Sequence, residues 1–391
     1  MEKICLGKDG CSGCSACALI CPRNAIQMEF NENGEYAPAI DETKCVKCRL
    51  CERICTVKNP GAPQISQTET YVAVAKNKDI LTKSSSGGVA QVFARKAVEM
   101  GMPVCGVWYD ADKESATHIV LRSHNELGKI QGSKYLPSAN MEGFREIIGI
   151  KKGLVVGTPC QIAGLDAVLR KEGIRDNYFL VDIFCHGVPL KLVWEQHLAW
   201  LKKKRKINDY TEAVFRQGKD YRMKLGAYEA WINQDAFYTF FISGLAHNRQ
   251  CYSCKYRRNS CADIRLGDLA LEKYSRLPYS PSVIIANSEK GMQLLNECAD
   301  ELQIYEESYA LIDAIQKKGN EEMPADYETM IQRLRGGEYP ENLIRHKMWV
   351  GRIKAFIKHR ILSKFLSNGN IESLDEVAKK HGQQPIELGR N

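Results

Sequence analysis

The sequence lacks any apolar run that approaches the ~18 residues needed to span a membrane. Residues 1–10 also lack the apolar core of a secretory signal peptide. The chain carries neither a nucleic-acid-binding motif nor basic residues interleaved with aromatic ones. These absences exclude a membrane-spanning protein and argue against secretion and nucleic-acid binding. They predict a cytoplasmic protein.

Cysteine, in contrast, is abundant, with 16 in 391 residues. Two runs share the spacing C-x2-C-x2-C-x3-C: Cys11, Cys14, Cys17 and Cys21, then Cys45, Cys48, Cys51 and Cys55. This spacing is typical of bacterial ferredoxins, in which the fourth cysteine of each run binds the cluster of the other run. The runs therefore predict two 4Fe–4S clusters. One is held by Cys11, Cys14, Cys17 and Cys55, and the other by Cys45, Cys48, Cys51 and Cys21.

A disulfide framework and zinc ribbons are the alternative interpretations of these runs. Zinc sites usually combine two C-x2-4-C pairs separated by a longer spacer, and the two evenly repeated runs fit that pattern poorly. Iron–sulfur clusters need a reducing compartment, which again favours the cytoplasm. The formal net charge of +8 omits the clusters. Because each oxidised cluster with its thiolates contributes about −2, the basic balance is weak support for a nucleic-acid partner.

The composition along the chain divides it into four parts and predicts an α+β fold. Residues 1–58 form a ferredoxin-like dicluster domain with a hairpin turn at Asn33-Gly34, and residues 59–70, rich in Pro, Gly, Gln and Thr, form a linker. Residues 71–310 form an α/β domain, and residues 311–391 form a helical C-terminal extension. Residues after about Ser373 are polar, and we expect them to be loosely held.

The second domain alternates predicted strands and helices, which indicates parallel strands joined by crossover helices. Strands at 153–157 and 178–184 flank a helix near 162–171. Cys160 and Cys185 then lie just past two strand ends, at the edge where open α/β sheets bind ligands. With Cys251 and Cys254 they can hold a third 4Fe–4S cluster. A zinc knuckle formed by Cys251, Cys254, Cys261 and His247, or isolated core cysteines, are the alternatives.

Two Ser/Gly-rich segments suggest a phosphate or ring ligand. Residues 84–88 open a helix whose N-terminus suits a phosphate, although a plain helix cap is an equal alternative. Residues 131–135 offer a flexible backbone, a hydroxyl, a cation and an aromatic ring. The alternative is that Lys134 is a solvated surface lysine and that Tyr135 is an aromatic residue at a rim, with no ligand bound.

Five motifs follow one another in the sequence: Ser85-Ser86-Gly87-Gly88, Gln131-Gly132-Ser133-Lys134-Tyr135, Gly157-Thr158-Pro159-Cys160-Gln161, Cys185-His186-Gly187 and Cys251-x2-Cys254. In this order they resemble the beta subunit family of coenzyme F420 hydrogenases and dehydrogenases, with a ferredoxin module fused in front. The resemblance implies a flavin, usually FAD, beside a 4Fe–4S cluster held by Cys160, Cys185, Cys251 and Cys254. It implies flavin contacts at Ser85, Ser86, Gly87, Gly88, Gly132, Ser133, Lys134, Tyr135, Gly157, Thr158 and Gln161. The chain departs from the family at Leu269-Ala270, where members often carry Phe-Trp, and at Cys261, which could compete as a ligand.

The segment 342–371 contains no Asp or Glu, and its basic and apolar residues alternate with helical spacing. It predicts a basic amphipathic helix, which either contacts the inner face of a membrane or packs on its own domain.

The whole pattern predicts an iron–sulfur flavoprotein oxidoreductase. Its partners would be a redox protein or electron-transfer complex and a small hydride carrier, coenzyme F420 or a related molecule. The alternatives are a ferredoxin-fed reductase of an organic substrate in polysaccharide metabolism and a non-catalytic electron-transfer subunit.

Overall fold

The computed structural model describes residues 10–61, 69–218, 221–232, 234–269, 271–316, 322–346, 349, 353 and 371–386. The helices are α1 Ala16–Leu19, α2 Leu50–Ile54, α3 Lys78–Lys83, α4 Val89–Glu99, α5 Met141–Ile150, α6 Pro159–Lys171, α7 Lys191–Trp200, α8 Ala236–Ser243, α9 Arg249–Tyr252, α10 Glu289–Glu297, α11 Tyr309–Gln316 and α12 Tyr327–Arg335, followed by a C-terminal helix, Leu374–Lys380. None of the helices in the described parts of the chain combines the length and the apolarity needed to traverse a lipid bilayer.

The strands are β1 Ile26–Phe30, β2 Tyr36–Ile40, β3 Glu69–Ala75, β4 Val104–Asp110, β5 Ser115–Leu121, β6 Ser138–Ala139, β7 Gly153–Gly157, β8 Tyr178–Ile183, β9 Ala213–Val214, β10 Arg222–Leu225, β11 Tyr228–Trp231, β12 Ile264–Asp268, β13 Ser282–Ala286 and β14 Leu302–Glu306. They form a two-stranded, a three-stranded and a nine-stranded sheet.

The N-terminal module consists of the β1–β2 hairpin and the short helices α1 and α2, each of which begins inside a cysteine run. The hairpin turn runs from Asn31 to Glu35, with Gly34 in the left-handed region at φ +77°. The backbone N–H of Gly34 donates to the carbonyl of Asn31 at 2.8 Å. The predicted hairpin at Asn33-Gly34 is therefore confirmed.

The nine-stranded sheet has the order β14-β3-β13-β12-β8-β7-β4-β5-β6. Strands β4, β7, β8 and β12 are mutually parallel, as predicted for the central units, whereas β13, β14 and β5 run in the opposite direction. The sheet is therefore mixed. Because the parallel strands end at one edge, the loops that follow β7, β8 and β12 come together there.

Alternate residues of the central strands face opposite sides of the sheet, as strand geometry requires. Phe179 and Val181 of β8 pack with helices α4 and α10, whereas Tyr178 and Leu180 pack with α5 and α6. Helices thus cover both faces. A further core surrounds the buried Trp194 and joins α7, α8 and α12 to the three-stranded sheet.

The described C-terminal part is helical, as predicted, but it is not loosely held. The C-terminal helix buries Leu374, Val377 and Ala378 against Tyr305 and other residues of the sheet. Ser373 accepts a hydrogen bond from the Glu376 backbone N–H at its N-terminus. The prediction of a loosely held segment was wrong because three buried positions among polar residues are enough to dock a short helix. The predicted basic amphipathic helix lies almost wholly outside the described residues.

Candidate functional site

The two N-terminal cysteine runs adopt the same backbone conformation. The residues on either side of the second cysteine, Gly13 and Ser15 in one run and Lys47 and Arg49 in the other, all have positive φ, between 55° and 68°. Such left-handed residues turn successive N–H groups inward and form a concavity for anions. No two of the described cysteines form a disulfide. Equivalent turns in both runs fit thiolate ligation of two clusters better than a disulfide framework.

The cysteines of the first run are enclosed and have hydrogen-bond donors. The Gly13 backbone N–H donates to Cys11 Sγ at 3.5 Å, and Thr56 Oγ1 lies 3.6 Å from Cys14 Sγ. Cys55 of the second run acts electrostatically on both Cys11 and Cys14, so it lies close to the first run. Burial raises the pKa of the Cys11 thiol to about 12. Metal binding must therefore displace protons from these thiols.

The four cysteines predicted to hold a third cluster meet at the C-terminal edge of the sheet. Cys160 lies in the first turn of α6, directly after β7, and Cys185 follows β8. The thiol of Cys160 interacts electrostatically with those of Cys254, Cys185 and Cys251. Burial raises the pKa of Cys185 to about 11, and Cys251 is shifted in the same direction. The topology therefore brings the set together as the sequence predicted.

The two alternative ligands, Cys261 and His247, lie near this set. Cys261 is 1% exposed and packs on Ala163 and Tyr256, and Cys160 and Cys254 pack against the same apolar cluster. The His247 Nε2 atom lies 2.8 Å from the carbonyl oxygen of Phe241, whereas its buried Nδ1 atom has no hydrogen-bond partner among the described residues. Among the residues that the structure describes, no His/Cys/Asp/Glu group is spaced for a single metal ion.

A cavity lies between the N-terminal module and this edge of the sheet. Its space between atoms is about 790 Å³, part of it open to solvent. Ser12, Gly13, Tyr36 and Thr56 line it from the module, and Cys160, Gln161, Cys251 and Cys254 line it from the second domain. Cys160 Sγ is 3.9 Å from the Ser12 carbonyl oxygen. The loop of the first cysteine run thus touches the third cysteine set.

Close contacts fix the N-terminal module on the second domain. A Cβ atom at Gly164 of α6 would lie 2.6 Å from Cys14 Cβ and 2.8 Å from Cys14 Sγ, so only glycine allows this approach. The fully buried Asn140 donates to the Gly13 carbonyl at 3.0 Å and accepts a hydrogen bond from the Ser15 hydroxyl. Tyr256 donates its hydroxyl proton to the Thr56 carbonyl at 3.2 Å.

Two of the predicted flavin-binding segments lie side by side. The Ser133 backbone N–H donates to Ser85 Oγ at 2.8 Å, and the hydroxyl oxygens of Ser86 and Ser282 are 3.0 Å apart. A Cβ at Gly87 would lie 2.3 Å from the Ala73 carbonyl oxygen, and Gly88 has φ +81°. Both serine hydroxyls are thus used within the protein, so any ligand contact here falls mainly to the backbone.

Lys134 and Tyr135 are half-buried, and both side chains contact other parts of the protein. The Lys134 ammonium donates to the carbonyls of Gln131 and Gly132 at 2.8 and 3.1 Å. Burial lowers its pKa to about 7. The Tyr135 ring stacks on Phe241, with 4.6 Å between centroids.

The third predicted flavin-binding segment, Gly157–Gln161, lies at the cavity rather than against Ser85. Gln161 Oε1 accepts from the Thr158 backbone N–H at 3.1 Å, and Gln161 Nε2 donates to Ser138 Oγ at 3.0 Å. Residues 131–138 therefore connect the two groups of predicted contacts.

Sequence reasoning missed an ion pair between the buried Arg216 and the half-buried Asp268, beside the predicted flavin segments. Arg216 Nη1 donates to Asp268 Oδ2 at 2.8 Å and its guanidinium lies 4.0 Å from the Tyr221 ring centroid. Burial alone would raise the pKa of Asp268, but Arg216 and Tyr221 together lower it. Arg216 has no motif around it, so only the fold reveals its position.

Three family models match the chain between residues 10 and 310, with two short gaps. The model "Coenzyme F420 hydrogenase/dehydrogenase, beta subunit N-term" matches residues 70–144, and the corresponding C-terminus model matches residues 150–310. A 4Fe–4S dicluster domain matches residues 10–59, which confirms the predicted ferredoxin-type module.

Similar proteins include a coenzyme F420-dependent sulfite reductase of Methanocaldococcus jannaschii, 23% identical over 73% of this chain and 45% of the relative. The chloroplastic 7-hydroxymethyl chlorophyll a reductase of Oryza sativa is 23% identical over 67% of this chain and 62% of the relative. The chain thus spans about half the length of these relatives. A chain of the F420-reducing [NiFe] hydrogenase complex of Methanosarcina barkeri aligns with a TM-score of 0.47 at 14% identity, over 73% of this chain and 94% of that one.

Proposed function

We propose that the protein is an iron–sulfur flavoprotein oxidoreductase that exchanges hydride with coenzyme F420 or a related carrier. The chain belongs to the coenzyme F420 hydrogenase/dehydrogenase beta subunit family and carries a 4Fe–4S dicluster domain. Clusters would supply one-electron transfer, and a flavin would couple it to two-electron hydride chemistry. The residues of the chain would bind these groups and fix their positions relative to one another.

The observation that carries the proposal is the contact between the first cysteine run and the third cysteine set. Cys160 Sγ lies 3.9 Å from the carbonyl oxygen of Ser12, and Ser12 lies between Cys11 and Cys14 in the sequence. Cys48, in the second run, is the one exposed residue among the described cysteines. The proposed order therefore runs from the Cys45–Cys55 run at the surface, through the Cys11–Cys21 run, to Cys160, Cys185, Cys251 and Cys254.

The flavin would lie beyond the third cysteine set. Ser85–Gly88 and Gly132–Tyr135 share one loop cluster, and Thr158 and Gln161 adjoin Cys160. The glycines allow the backbone to approach a ligand closely, and Lys134 would supply a cation toward its phosphates. FAD is the flavin that the family resemblance favours.

A second candidate is a reductase of an organic substrate that receives its electrons from a ferredoxin. The rice relative is named for reducing a chlorophyll derivative. Leu269, where family members often carry an aromatic residue, is 2% exposed in this chain and changes the wall next to Asp268. Such a change would suit an electron acceptor other than coenzyme F420.

The experiment compares anaerobically prepared wild type with a Cys160→Ala variant. We expect about twelve irons and one flavin in the wild type and about eight irons in the variant, because only the third site loses a ligand. Reduced coenzyme F420 should bleach the flavin absorbance in the wild type. Wild-type protein that contains zinc without iron would contradict the proposal. Flavin that reduced F420 leaves oxidised, but that ferredoxin reduces, would favour the second candidate.

A further inference from the structure

One buried glutamine of the cavity has a side-chain amide with only one of its two polar atoms paired. Gln250 is 9% exposed and lines the cavity together with Cys160, Cys251 and Cys254, three members of the third cysteine set. Its Nε2 group donates to Ser253 Oγ at 3.3 Å, whereas its Oε1 atom is buried without a hydrogen-bond partner among the described residues. Because an unpaired buried polar atom is costly, this arrangement indicates that a further group belongs in the cavity.

The backbone of Gln250 is fixed relative to Cys251. Both residues lie in helix α9, and the Gln250 backbone N–H donates to Asn248 Oδ1 at 2.9 Å. The Gln250 carbonyl accepts from the Ser253 backbone N–H at 3.3 Å, and the Cys251 backbone N–H donates to the Asn248 carbonyl at 2.8 Å. The amide therefore starts from a defined position beside the third cysteine set.

A cluster in this cavity would favour a hydrogen-bond donor at the place of the unpaired oxygen. A 4Fe–4S cluster with its thiolates carries a charge of about −2, and its sulfurs accept hydrogen bonds. A half-turn of the Gln250 amide about its last side-chain bond exchanges Oε1 and Nε2. Oε1 then accepts a hydrogen bond from the Ser253 hydroxyl, and an Nε2–H group takes the place of the unpaired oxygen. Both ends of the amide are then paired when the cluster is bound.

Ser12 also lines the cavity with a buried hydroxyl oxygen that has no partner at hydrogen-bond distance among the described residues. This hydroxyl lowers the pKa of the Cys14 thiol, so it lies close to the first cysteine run. Ser12 can therefore serve the first site, whereas Gln250 adjoins only the third.

We propose that the Gln250 amide donates a hydrogen bond to the cluster of the third cysteine set and thereby raises its reduction potential. The inference rests on the proposed function, because it assumes a cluster at this set. Hydrogen bonds to cluster sulfurs are among the factors that set the potential. Reduction adds one electron to the cluster and makes its sulfurs better acceptors, so the donor stabilises the reduced form more than the oxidised form. The proton stays on Gln250 Nε2 throughout.

The first test is a redox titration of the full chain, followed by electron paramagnetic resonance. The third-site signal is the component that a Cys160→Ala variant lacks. Gln250→Met keeps the length of the side chain and removes the donor. At the wild-type midpoint it should lower the ratio of reduced to oxidised third site about tenfold, or about 59 mV for one electron. The matched control is Gln303→Met on the outer strand β14, which removes an amide bonded to Asp375 and should shift no component.

The second test detects the hydrogen bond itself by pulsed electron paramagnetic resonance of protein labelled with ¹⁵N in its glutamine side chains. The third-site signal of the wild type should carry a ¹⁵N coupling. Gln250→Met and Gln250→Glu, which keeps the shape of the side chain, should both lack it. Gln161 also lines the cavity, but its Nε2 group donates to Ser138 Oγ, so it should contribute no such coupling. The wild-type spectrum tests the inference even if the variants fail to assemble their clusters.

The outcomes distinguish the inference from the function on which it rests. Wild-type protein with about twelve irons and no ¹⁵N coupling at the third site would overturn the inference alone. Gln250→Met with about twelve irons and an unshifted third midpoint would do the same. Wild-type protein with about eight irons and no third component would overturn the proposed third site together with the inference.

Discussion

At the scale of single residues, Lys134 couples the proposed flavin site to pH. Burial lowers the pKa of its ammonium from 10.5 to about 7, so the side chain is charged below pH 7 and neutral above it. An anionic phosphate is attracted only by the charged form. We therefore expect FAD to bind about tenfold more tightly at pH 6 than at pH 8.5, equivalent to about 1.4 kcal/mol.

Fluorescence titration of flavin-depleted protein across this pH range measures the effect. Lys134→Met should bind FAD weakly at both pH values, with no step near pH 7. Lys129→Met removes an exposed lysine of the preceding turn and should keep the wild-type step. An unchanged pH step in Lys134→Met would show that another group is responsible.

At the scale of secondary-structure elements, the packing of α1 on α6 links two cysteine sets. A methyl group at Gly164 would overlap Cys14, since an ideal Cβ lies 2.6 Å from Cys14 Cβ. We expect Gly164→Ala to lower the free energy of unfolding by about 1–3 kcal/mol, as overpacking typically does. It should also slow electron transfer from the N-terminal module to the flavin, because the two cysteine sets move apart.

Chemical denaturation and stopped-flow absorbance measure these two effects. The matched control is Gly149→Ala in α5, where no atom lies within 4 Å of the added Cβ. That variant should be as stable as the wild type or gain about 0.5–1 kcal/mol, because alanine favours helix. Equal behaviour of the two variants would show that the α1–α6 contact is loose.

Much of the element structure could be predicted from the sequence because its signals are local. The strand at Gly153–Gly157 is confirmed, and the next strand ends one residue earlier than predicted, at Ile183. Helix α6 begins at Pro159 rather than near Ile162, because Thr158 and Gln161 form a capping box and proline suits the first helical position. Helix α7 gives way after Trp200 to π-helical residues Leu201–Arg205.

The site was predictable only where sequence spacing or strand order fixes it. The spacing of the cysteines in the two N-terminal runs is read directly from the sequence. The β–α–β topology brings Cys160 and Cys185 to one edge of the sheet. The position of Arg216 depends on contacts between segments distant in sequence. The antiparallel addition of β13 and β14 likewise has no local signature.

At the scale of the whole molecule, the dicluster module and the second domain share buried contacts. Met141 of α5 packs in one apolar cluster with Cys17, Cys51 and Cys55. The fully buried Asn140 joins Gly13 and Ser15 of the first cysteine run. We therefore expect the two parts to unfold together. Far-ultraviolet circular dichroism and iron–sulfur absorbance should give coincident melting curves for the wild type.

Asn140→Ala tests this coupling, because it leaves the Gly13 carbonyl and the Ser15 hydroxyl buried without their partner. We expect the free energy of unfolding to fall by about 2–4 kcal/mol, since each buried unsatisfied group costs about 1–3 kcal/mol. Asn177→Ala, at an exposed position after α6, should stay within about 0.5 kcal/mol of the wild type. If the iron–sulfur absorbance of the wild type melted well before the circular dichroism signal, the module would be an independent unit. The contact between Ser12 and Cys160 would then be too weakly held to set the distance between the first and third cysteine sets.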